Sequence, residues 1–399
     1  MPIHHLLRQI GLPEVKVLES RSGPKGIWLI AEKVRSEKEI CTRCGQQSSS
    51  VYDHRTVTVR DEPIRQAQVT LRIRKRRYYC YTCRKPFTEY IPGIWPKRRT
   101  TQRLRESVRE ACNNFSSMSQ VRKTFRLSSS FVYKVYYEQL ELQNRQITKY
   151  FPKSIGIDEH FVRRQYGAPQ FMTVFTDLKN RTVRECVYGK TKKGLIEQTS
   201  HLLGRREVEW VALDMSDTYR GFALEHFPNA RLVADKFHVL RMFSHILNRH
   251  RIDQTGDVRK NPVRKLLLRN RNRLKYFERN ALDKWLKQHP KIKEAYEWKE
   301  HFHRFYRIKG YDRACHRFEK LILAMRFSLI PEIKRFARTL ERWRDEILNY
   351  FIKPITNAVT EGYNRIASLV KNRAFGYRNI NNYRLRFLNA DLHAQGWEM

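Results

Sequence analysis

Two pairs of cysteines have the spacing of a metal site. Cys41 and Cys44 form one Cys-x-x-Cys pair, and Cys80 and Cys83 form a second pair after an interval of 35 residues. A two-residue gap lets both sulfurs of a pair point at one ion, and four thiolates complete the tetrahedral shell of a structural Zn²⁺. The alternative is two unrelated reduced pairs. We therefore predict one structural zinc, with a β-hairpin inserted between the pairs.

Carboxylates at the ends of predicted strands form a second group that could do chemistry. Asp158 lies in a strand-like apolar run, Asp214 follows the next such run and Asp235 follows a third. Carboxyl groups at the ends of neighbouring strands can meet at one edge of a sheet. Oxygen ligands that meet in this way suit Mg²⁺ or Mn²⁺ rather than Zn²⁺. The pattern predicts a divalent metal site.

Cleavage of a phosphodiester by two metal ions needs a third carboxylate, and a helical segment near the C-terminus offers Glu361. On a helix of about 3.6 residues per turn, Glu361 shares a polar face with Asn357, Asn364 and Lys371. We assign Lys371 to DNA contact. Periodicity alone leaves open a solvent-exposed Glu361. The opposite face is predicted to be the apolar one and holds Ile355, Ala358, Val359, Gly362, Ile366, Leu369 and Val370.

A basic segment between the cysteine pairs combines positive charge with tyrosines. Cationic side chains neutralise phosphates, and aromatic neighbours add stacking. The alternative is a solvated basic face. We predict that DNA is contacted by Arg72, Arg74, Lys75, Arg76 and Arg77.

Residues 117–136 have the pattern of a helix-turn-helix, with two short apolar-periodic segments joined by a serine-rich turn. In this motif the second helix enters the major groove. A helical hairpin within an ordinary three-helix bundle is the alternative. The side chains predicted to face base edges are Ser129, Ser130, Tyr133 and Lys134.

The overall charge agrees with a nucleic-acid partner. The chain of 399 residues carries 80 Lys and Arg against 40 Asp and Glu, a formal net charge of +40. Such a charge favours a polyanionic partner. Mean hydropathy is −0.69, and no run approaches the roughly 20 apolar residues of a membrane helix. We expect no membrane association, no secretory signal and a cytoplasmic, nucleoid-associated protein.

Composition divides the chain into five segments. Residues 1–95 are expected to form the zinc-binding domain and 96–150 the helix-turn-helix domain. Residues 151–240 alternate short strands with helices, which indicates an α/β core. Residues 241–352 are almost entirely helical, and 353–399 contain a last helical stretch. The expected fold class is multidomain α+β.

Four runs in this order resemble the ISL-three family of bacterial insertion-sequence transposases. The runs are Ile155-Gly156-Ile157-Asp158-Glu159, Leu213-Asp214-Met215-Ser216, Asp235-Lys236-Phe237-His238-Val239 and Thr360-Glu361-Gly362-Tyr363-Asn364. The resemblance implies a zinc-ribbon-like N-terminal domain, a helix-turn-helix bundle, and an RNase H-like core whose catalytic triad is Asp158, Asp214 and Glu361. It also implies that 241–352 is an all-helical insertion and that 353–399 holds the final helix of the core and a C-terminal tail. Asp235 and His238 resemble an Asp-x-x-His pattern that follows the second aspartate, and both are expected among the catalytic residues. His238 is expected to contact the scissile phosphate or position a metal-bound water, without binding the metal itself.

The resemblance implies a DNA transposase that binds the terminal inverted repeats of its element. Two Mg²⁺ or Mn²⁺ ions per site would be held by Asp158, Asp214 and Glu361. The expected partners are double-stranded DNA, as element ends and as target, and further copies of the chain in a homodimer or higher oligomer. A non-catalytic DNA-binding regulator and a structure-specific nuclease on the same core are the alternatives.

Overall fold

The computed structural model describes residues 12–24, 26–114, 117–146, 149–165, 168–256 and 262–394. The chain divides into two compact units. The first unit consists mainly of Met1–Gln146 and Asn372–His393, and the second mainly of Ile147–Lys371. No helix in the described part of the chain is both long and apolar enough to cross a membrane.

The first unit begins with a mixed sheet in the order β1-β2-β6-β5, with β7 paired to β6. The predicted hairpin between the cysteine pairs is confirmed as β5 and β6, which are antiparallel from Val51↔Tyr78 to Ile64↔Ala67. Alternate residues of β6 are buried because successive side chains of a strand point to opposite faces. The strands are β1 (Val15–Gly23), β2 (Gly26–Lys33), β3 (Glu39–Ile40), β4 (Gln47–Ser48), β5 (Val51–Ile64), β6 (Ala67–Cys80) and β7 (Lys85–Thr88).

Helices α1 (Gln102–Asn113), α2 (Met118–Phe125) and α3 (Ser129–Gln146) follow. Ser117 caps α2 by accepting a hydrogen bond from the Gln120 amide at 3.1 Å. Ser128 accepts from the Phe131 amide at 3.3 Å at the start of α3, as expected for serine at a helix N-terminus. Arg126 ends α2 in the left-handed conformation, with φ of 47°. A short turn therefore separates the two helices, as the helix-turn-helix pattern predicts.

The second unit contains a mixed sheet in the order β10-β9-β8-β11-β12. Strands β8, β9 and β10 form an antiparallel meander, whereas β11 is parallel to both β8 and β12. The carboxyl ends of β11 and β12 therefore lie beside the middle of β8. The elements are β8 (Ser154–Gln165), β9 (Ala168–Asp177), β10 (Thr182–Tyr188), α4 (Lys192–Thr199), β11 (Trp210–Leu213), α5 (Asp217–His226) and β12 (Arg231–Ala234).

A helical region follows β12 directly. Its first helix begins at Lys236, so the expected boundary at residue 241 falls inside this helix. The Phe243 ring packs against Phe302 at 4.4 Å and Phe336 at 4.9 Å between centroids, which joins three helices in one core. The helices are α6 (Lys236–Thr255), α7 (Pro262–Leu268), α8 (Tyr276–Lys287), α9 (Pro290–Phe305), α10 (Tyr311–Arg326), α11 (Pro331–Arg342) and α12 (Arg344–Asn349).

The last two helices, α13 (Ala358–Arg373) and α14 (Ile380–Ala394), belong to different units. Helix α13 lies in the second unit, whereas α14, which falls in the expected C-terminal tail, lies in the first. Leu385 joins the apolar cluster of α1 and α3, and Arg386 Nη2 donates to the Cys112 carbonyl at 3.1 Å. A helix packs where its buried face finds a complementary surface, and proximity in sequence does not determine this.

Candidate functional site

Three aspartates meet where the parallel strands of the second unit end. Leu213, the last residue of β11, pairs with Ile157 of β8 and with Ala234 of β12. Each of these three residues is followed directly by an aspartate, namely Asp158, Asp214 and Asp235. The strand register therefore brings the three carboxylates to one edge of the sheet, as the sequence predicted for this type of site.

His238 lies in the first turn of α6 and connects two of these carboxylates. Its Nε2 is 2.8 Å from Asp214 Oδ2, and its Nδ1 is 3.1 Å from Asp235 Oδ2. Burial alone would lower the pKa of His238, but the hydrogen bonds to Asp214 and Asp235 raise it to about 10. The imidazole is therefore a cation at neutral pH. One side-chain oxygen or nitrogen atom from each of these three residues lies within 4.8 Å of the others.

Asp158 occupies a buried position in the middle of β8, with 7% of its surface exposed. Its Oδ1 accepts from the Glu159 amide at 2.7 Å, and its Oδ2 accepts from Asn364 Nδ2 at 2.7 Å. Burial, and then repulsion from Asp214, raise the pKa of Asp158 to about 7; Glu361 adds to the repulsion. Crowded carboxylates of this kind are stabilised when a cation lies between them.

Several oxygens at this edge are available to a metal ion. Among the described residues, neither Asp214 Oδ1 nor Asn364 Oδ1 has a hydrogen-bond partner, although both atoms are buried. A buried polar atom without a partner is unfavourable unless a ligand satisfies it. With Asp158 and Glu361 nearby, the donors are carboxylate and amide oxygens, which fit Mg²⁺ or Mn²⁺.

Helix α13, which carries Glu361, is attached to β8 by polar contacts. Asn357 is fully buried just before the helix; its Nδ2 donates to the Ile157 carbonyl at 2.6 Å, and its Oδ1 accepts from Thr360 Oγ1 at 2.7 Å. The backbone amide of Asn357 also donates to Asp235 Oδ1 at 3.3 Å. One asparagine therefore connects the strand of Asp158, the residue Asp235 and the helix of Glu361.

The expected apolar face of α13 is wrong for most of its members. The buried side chains are Thr360, Tyr363, Ala367 and Val370, whereas Leu369 is 44% exposed. The helix is rotated because Thr360 forms a 2.7 Å hydrogen bond with Thr176 on β9. Polar contacts with the sheet, which apolar periodicity does not detect, decide the orientation of this helix. In the sequence, only the polar residues Asn357 and Asn364 indicated this orientation of the helix.

Gly156 is where α13 approaches β8 most closely. A Cβ at this position would lie 2.5 to 2.6 Å from Thr360 Oγ1, Asn357 Oδ1 and Thr176 Oγ1. We expect Gly156→Ala to lower the free energy of unfolding by about 1–3 kcal/mol, because overpacking forces neighbouring groups apart. Thermal unfolding measures this loss, and DNA cleavage should fall with it because Glu361 is displaced.

A second glycine provides the matched control for Gly156→Ala. Gly362 lies on α13 with nothing within 4 Å of an added Cβ. Gly362→Ala should therefore raise stability by about 0.5–1 kcal/mol, as alanine does in a helix. Equal effects of the two substitutions would contradict the close approach at Gly156.

Asn364 holds the Asp158 carboxylate from one turn after Glu361. We expect Asn364→Ala to slow DNA cleavage by roughly 10–100-fold, because a hydrogen bond to a charged group contributes about 1.5–3 kcal/mol. Single-turnover cleavage of prebound DNA is the measurement. The control is Ser368→Ala, since Ser368 is exposed and bonds only to the Asn364 carbonyl of its own helix in the contacts described. Equal rates for both variants would rule out this role.

Glu159, next to Asp158, was not identified as a site residue from the sequence. Its Oε2 accepts from the buried Tyr219 hydroxyl at 2.9 Å, and its Oε1 is 3.2 Å from Lys190 Nζ. The sequence shows only two adjacent acidic residues here, and apolar periodicity does not distinguish the role of Glu159 from that of Asp158. The structure shows that Glu159 is tied to α5 and to the link between β10 and α4.

The four cysteines of the first unit form one cluster, with sulfurs within 4.8 Å of one another. Gly45 follows the first pair in the left-handed conformation, with φ of 74°, and its amide donates to the Cys41 carbonyl at 2.9 Å. Hydrogen bonds from the Arg43 and Cys44 amides lower the pKa of Cys41 to about 7. A closed set of four thiolates fits a structural Zn²⁺.

The DNA contacts predicted for the basic segment on β6 are wrong for two of the five residues. Arg72 and Arg74 are exposed and Arg77 is half-buried, but Lys75 and Arg76 are buried. Lys75 follows Leu71 and Ile73 onto the buried face, since residues two apart on a strand share a face. Arg76 Nε lies 3.3 Å from Glu89 Oε2, and its Nη2 donates to the Lys33 carbonyl. These two side chains are therefore structural rather than available to DNA.

The serine, tyrosine and lysine side chains predicted for the second helix of the helix-turn-helix are all exposed on α3. Tyr133 is 45% exposed, and Lys134 Nζ lies 3.7 Å from Glu138 on the next turn. Val132 and Val135 point into the core of the same unit. The arrangement leaves one face of α3 available for a partner and agrees with the predicted set Ser129, Ser130, Tyr133 and Lys134.

Comparison with known proteins gives three similarities. A family model described as a transposase, of the ISL3 type with a DDE domain, matches residues 155–387, which is more than half of the chain. A second model, the zinc-finger of transposase IS204/IS1001/IS1096/IS1165, matches residues 37–83 and includes all four clustered cysteines. The transposase for insertion sequence element IS1001 of Bordetella parapertussis is 26% identical over 356 residues, covering 85% of this chain and 86% of that protein.

Proposed function

The chain belongs to the ISL3 family of DDE transposases, and from this premise we propose that it cuts the ends of its insertion sequence and joins them to target DNA with the carboxylates at Asp158, Asp214 and Glu361. The observation that carries the proposal is the strand register that brings Asp158 and Asp214 together. Glu361 comes from α13, and its charge contributes to the raised pKa of Asp158.

We assign divalent metal binding to these three carboxylates, with the buried, unpartnered Asp214 Oδ1 as a further supporting observation among the described residues. When bound, Mg²⁺ or Mn²⁺ activates the attacking water or 3′-hydroxyl and stabilises the leaving oxygen. Two ions per site would suit phosphodiester chemistry. Asn364 orients Asp158 through its hydrogen bond to Oδ2.

His238 and Asp235 are assigned as positioning residues. Both ring nitrogens of His238 face carboxylates, so its cation holds Asp214 in one orientation. Asp235 is fully buried and also accepts from the Asn357 amide. The Asp-x-x-His pattern therefore acts by fixing the geometry of Asp214 and of the segment leading into α13.

The sheet supports an RNase H-like core. Its antiparallel meander β8-β9-β10 is extended on the other side by parallel β11 and β12, with carboxylates at the ends of the strands. The helical region from α6 to α12 lies in the chain between β12 and α13, as expected of an insertion that separates the second aspartate from the glutamate.

DNA recognition is assigned to the first unit. The exposed side chains of α3 would read the major groove of the terminal repeats. Arg72 and Arg74 would contact phosphates, and the exposed rings of Tyr52 and Tyr81 both lie near the Tyr79 ring, with centroid distances of 6.2 and 5.3 Å. Holding two ends together implies at least a homodimer. Because its DNA substrate lies in the cytoplasm of a bacterial cell, we place its action there.

The direct experiment incubates the purified protein with DNA carrying both element ends, a target plasmid and Mg²⁺. We expect cleavage at the ends that leaves 3′-hydroxyls, followed by products in which these ends are joined to the target. Sequencing of the products maps both positions. Cleavage without joined products would indicate a nuclease, and binding without cleavage would indicate a regulator; either result would overturn the proposal.

A further inference from the structure

Lysines and phenylalanines form a continuous strip next to the catalytic carboxylates. Lys190 Nζ lies 4.3 Å from the centroid of the Phe171 ring. The Phe171 and Phe161 rings meet edge to face, with centroids 5.8 Å apart. Lys371 Nζ lies 5.3 Å from the Phe161 centroid. We call these four residues the cation–aromatic strip.

The strip lies on a part of the sheet that extends past the catalytic edge. Strand β11 pairs with β8 only as far as Ile157, whereas β8 and β9 continue as a hairpin in which Phe161 pairs with Phe171. Because alternate residues of a strand face opposite ways, the Phe161 ring lies on the face of β8 opposite to Asp158, and Lys371 reaches it from α13, the helix that contacts Asp158. Phe161 is three residues beyond Asp158, or about 10 Å along an extended strand. That distance corresponds to about three nucleotides at roughly 3.4 Å each along duplex DNA.

The backbone holds both lysines in defined positions. Gly189, just before Lys190, donates its amide to the Phe171 carbonyl at 2.8 Å and accepts from Thr173 Oγ1 at 2.7 Å. Lys371 Nζ donates to the Phe161 carbonyl at 3.1 Å. Lys190 also pairs with Glu159, the residue next to Asp158. The two ammonium groups are therefore attached to the same hairpin as the catalytic aspartate.

The surface of the strip combines positive charge with an accessible aromatic ring. Phe161 is 40% exposed, and the Lys190 side chain is 48% exposed. Ammonium groups neutralise phosphates, and an exposed aromatic ring stacks on a base without sequence preference. A carboxylate-rich partner would also be attracted by the positive charge, but it would not stack on the exposed ring.

Resting on the proposed function, we propose that the cation–aromatic strip holds the DNA strand that carries the scissile phosphate. Lys190 and Lys371 each neutralise one phosphate, and Phe161 stacks on an unpaired base within a few nucleotides of the cleavage position. Stacking of this base keeps the strand from shifting along the catalytic carboxylates. The strip is thus a binding site in the second unit, separate from the recognition surface on α3.

The experiment uses the full-length protein and element-end DNA that is left single-stranded at the nucleotides flanking the cleavage position, because stacking within a duplex quenches the probe at every position. 2-Aminopurine is placed in turn at each of these nucleotides, and its fluorescence is compared with that of the free DNA. Ca²⁺ replaces Mg²⁺ so that binding is measured without cleavage. In the wild-type complex we expect quenched fluorescence at one position, because a ring stacks on that base. Phe161→Leu should restore the fluorescence there, whereas Phe161→Trp should keep it quenched.

The lysines are tested through the salt dependence of binding. Lys190→Gln and Lys371→Gln should each reduce the slope of log Kd against log salt by about 0.9, the value for one phosphate contact. Lys193→Gln is the matched control: Lys193 is the second residue of α4, its side chain is 90% exposed, and it lies 4.0 Å from Glu197 rather than over a ring. This variant should leave the slope unchanged.

The cleavage rate provides the third measurement. With Mg²⁺, Phe161→Leu should cut about 10-fold more slowly, since stacking contributes roughly 1–3 kcal/mol per base. Thermal unfolding of Phe161→Leu and Phe161→Trp shows whether folding is intact. Wild-type quenching and salt slope retained in all the strip variants would overturn this proposal, even if the protein cuts DNA. Absence of cleavage by the wild-type protein would instead overturn the proposed function. The Ca²⁺ measurements would still show whether the strip contacts the DNA.

Discussion

Asp158→Asn and Glu361→Gln are each expected to lower the rate of Mg²⁺-dependent cleavage of element ends by at least about a thousand-fold, because a carboxylate that binds a catalytic metal supplies several kcal/mol of transition-state stabilisation. Binding to the same DNA in Ca²⁺ should remain within a few-fold of the wild-type affinity, since recognition is assigned to the first unit. Single-turnover cleavage and fluorescence anisotropy measure the two properties separately.

Loss of folding would not account for this result. Burial and Asp214 raise the pKa of Asp158 to about 7, so its ionised form is less favourable in the folded than in the unfolded protein. Such a carboxyl destabilises the fold as the pH rises towards and past its folded pKa. Neutral asparagine removes this cost, and we therefore expect Asp158→Asn to melt no lower than the wild-type protein at pH 8.

An exposed acid nearby provides the control for the carboxylate variants. Asp217 lies three residues after Asp214, but its side chain is 65% exposed and lies 3.3 Å from Arg342. Asp217→Asn should cut at close to the wild-type rate. Cleavage retained in Asp158→Asn or Glu361→Gln, or lost equally in Asp217→Asn, would show that the catalytic residues have been assigned wrongly.

The double substitution Cys41→Ser with Cys80→Ser is expected to reduce bound zinc from about one ion per chain to none and to weaken end binding by at least about 100-fold. Metal binding in a closed four-thiolate site contributes directly to the free energy of folding. The apolar cluster around it is small and contains Tyr78, Phe87 and three of the four cysteines, Cys41, Cys80 and Cys83. Without the ion, the base of the β5–β6 hairpin should open.

Elemental analysis gives the zinc content, limited proteolysis reports opening near residues 41–83, and anisotropy gives the affinity for end DNA. Cys315→Ser is the control, because Cys315 lies on α10 and packs against the core of the second unit. It should retain zinc and DNA binding. A double variant with unchanged zinc content would mean that the four cysteines do not hold a metal.

The sequence by itself determined the cysteine cluster and the family. Cysteine spacing predicted the zinc cluster, and the order of Asp158, Asp214 and Glu361 in family-like runs predicted a transposase. These signals are local: the turn geometry of a Cys-x-x-Cys pair, or an acid at the end of an apolar strand, is set by residues adjacent in the chain. The β-hairpin between the cysteine pairs followed for the same reason.

Only the tertiary structure decided which side chains share an environment. It placed Lys75 and Arg76 inside the first unit, assigned α14 to that unit as well, and rotated α13 so that Thr360 faces the sheet. It also brought Lys190, Phe171, Phe161 and Lys371 together from separate elements. Apolar periodicity describes one element at a time. Contacts between elements depend on register, close approach at Gly156 and buried hydrogen bonds, which form only when the whole unit folds.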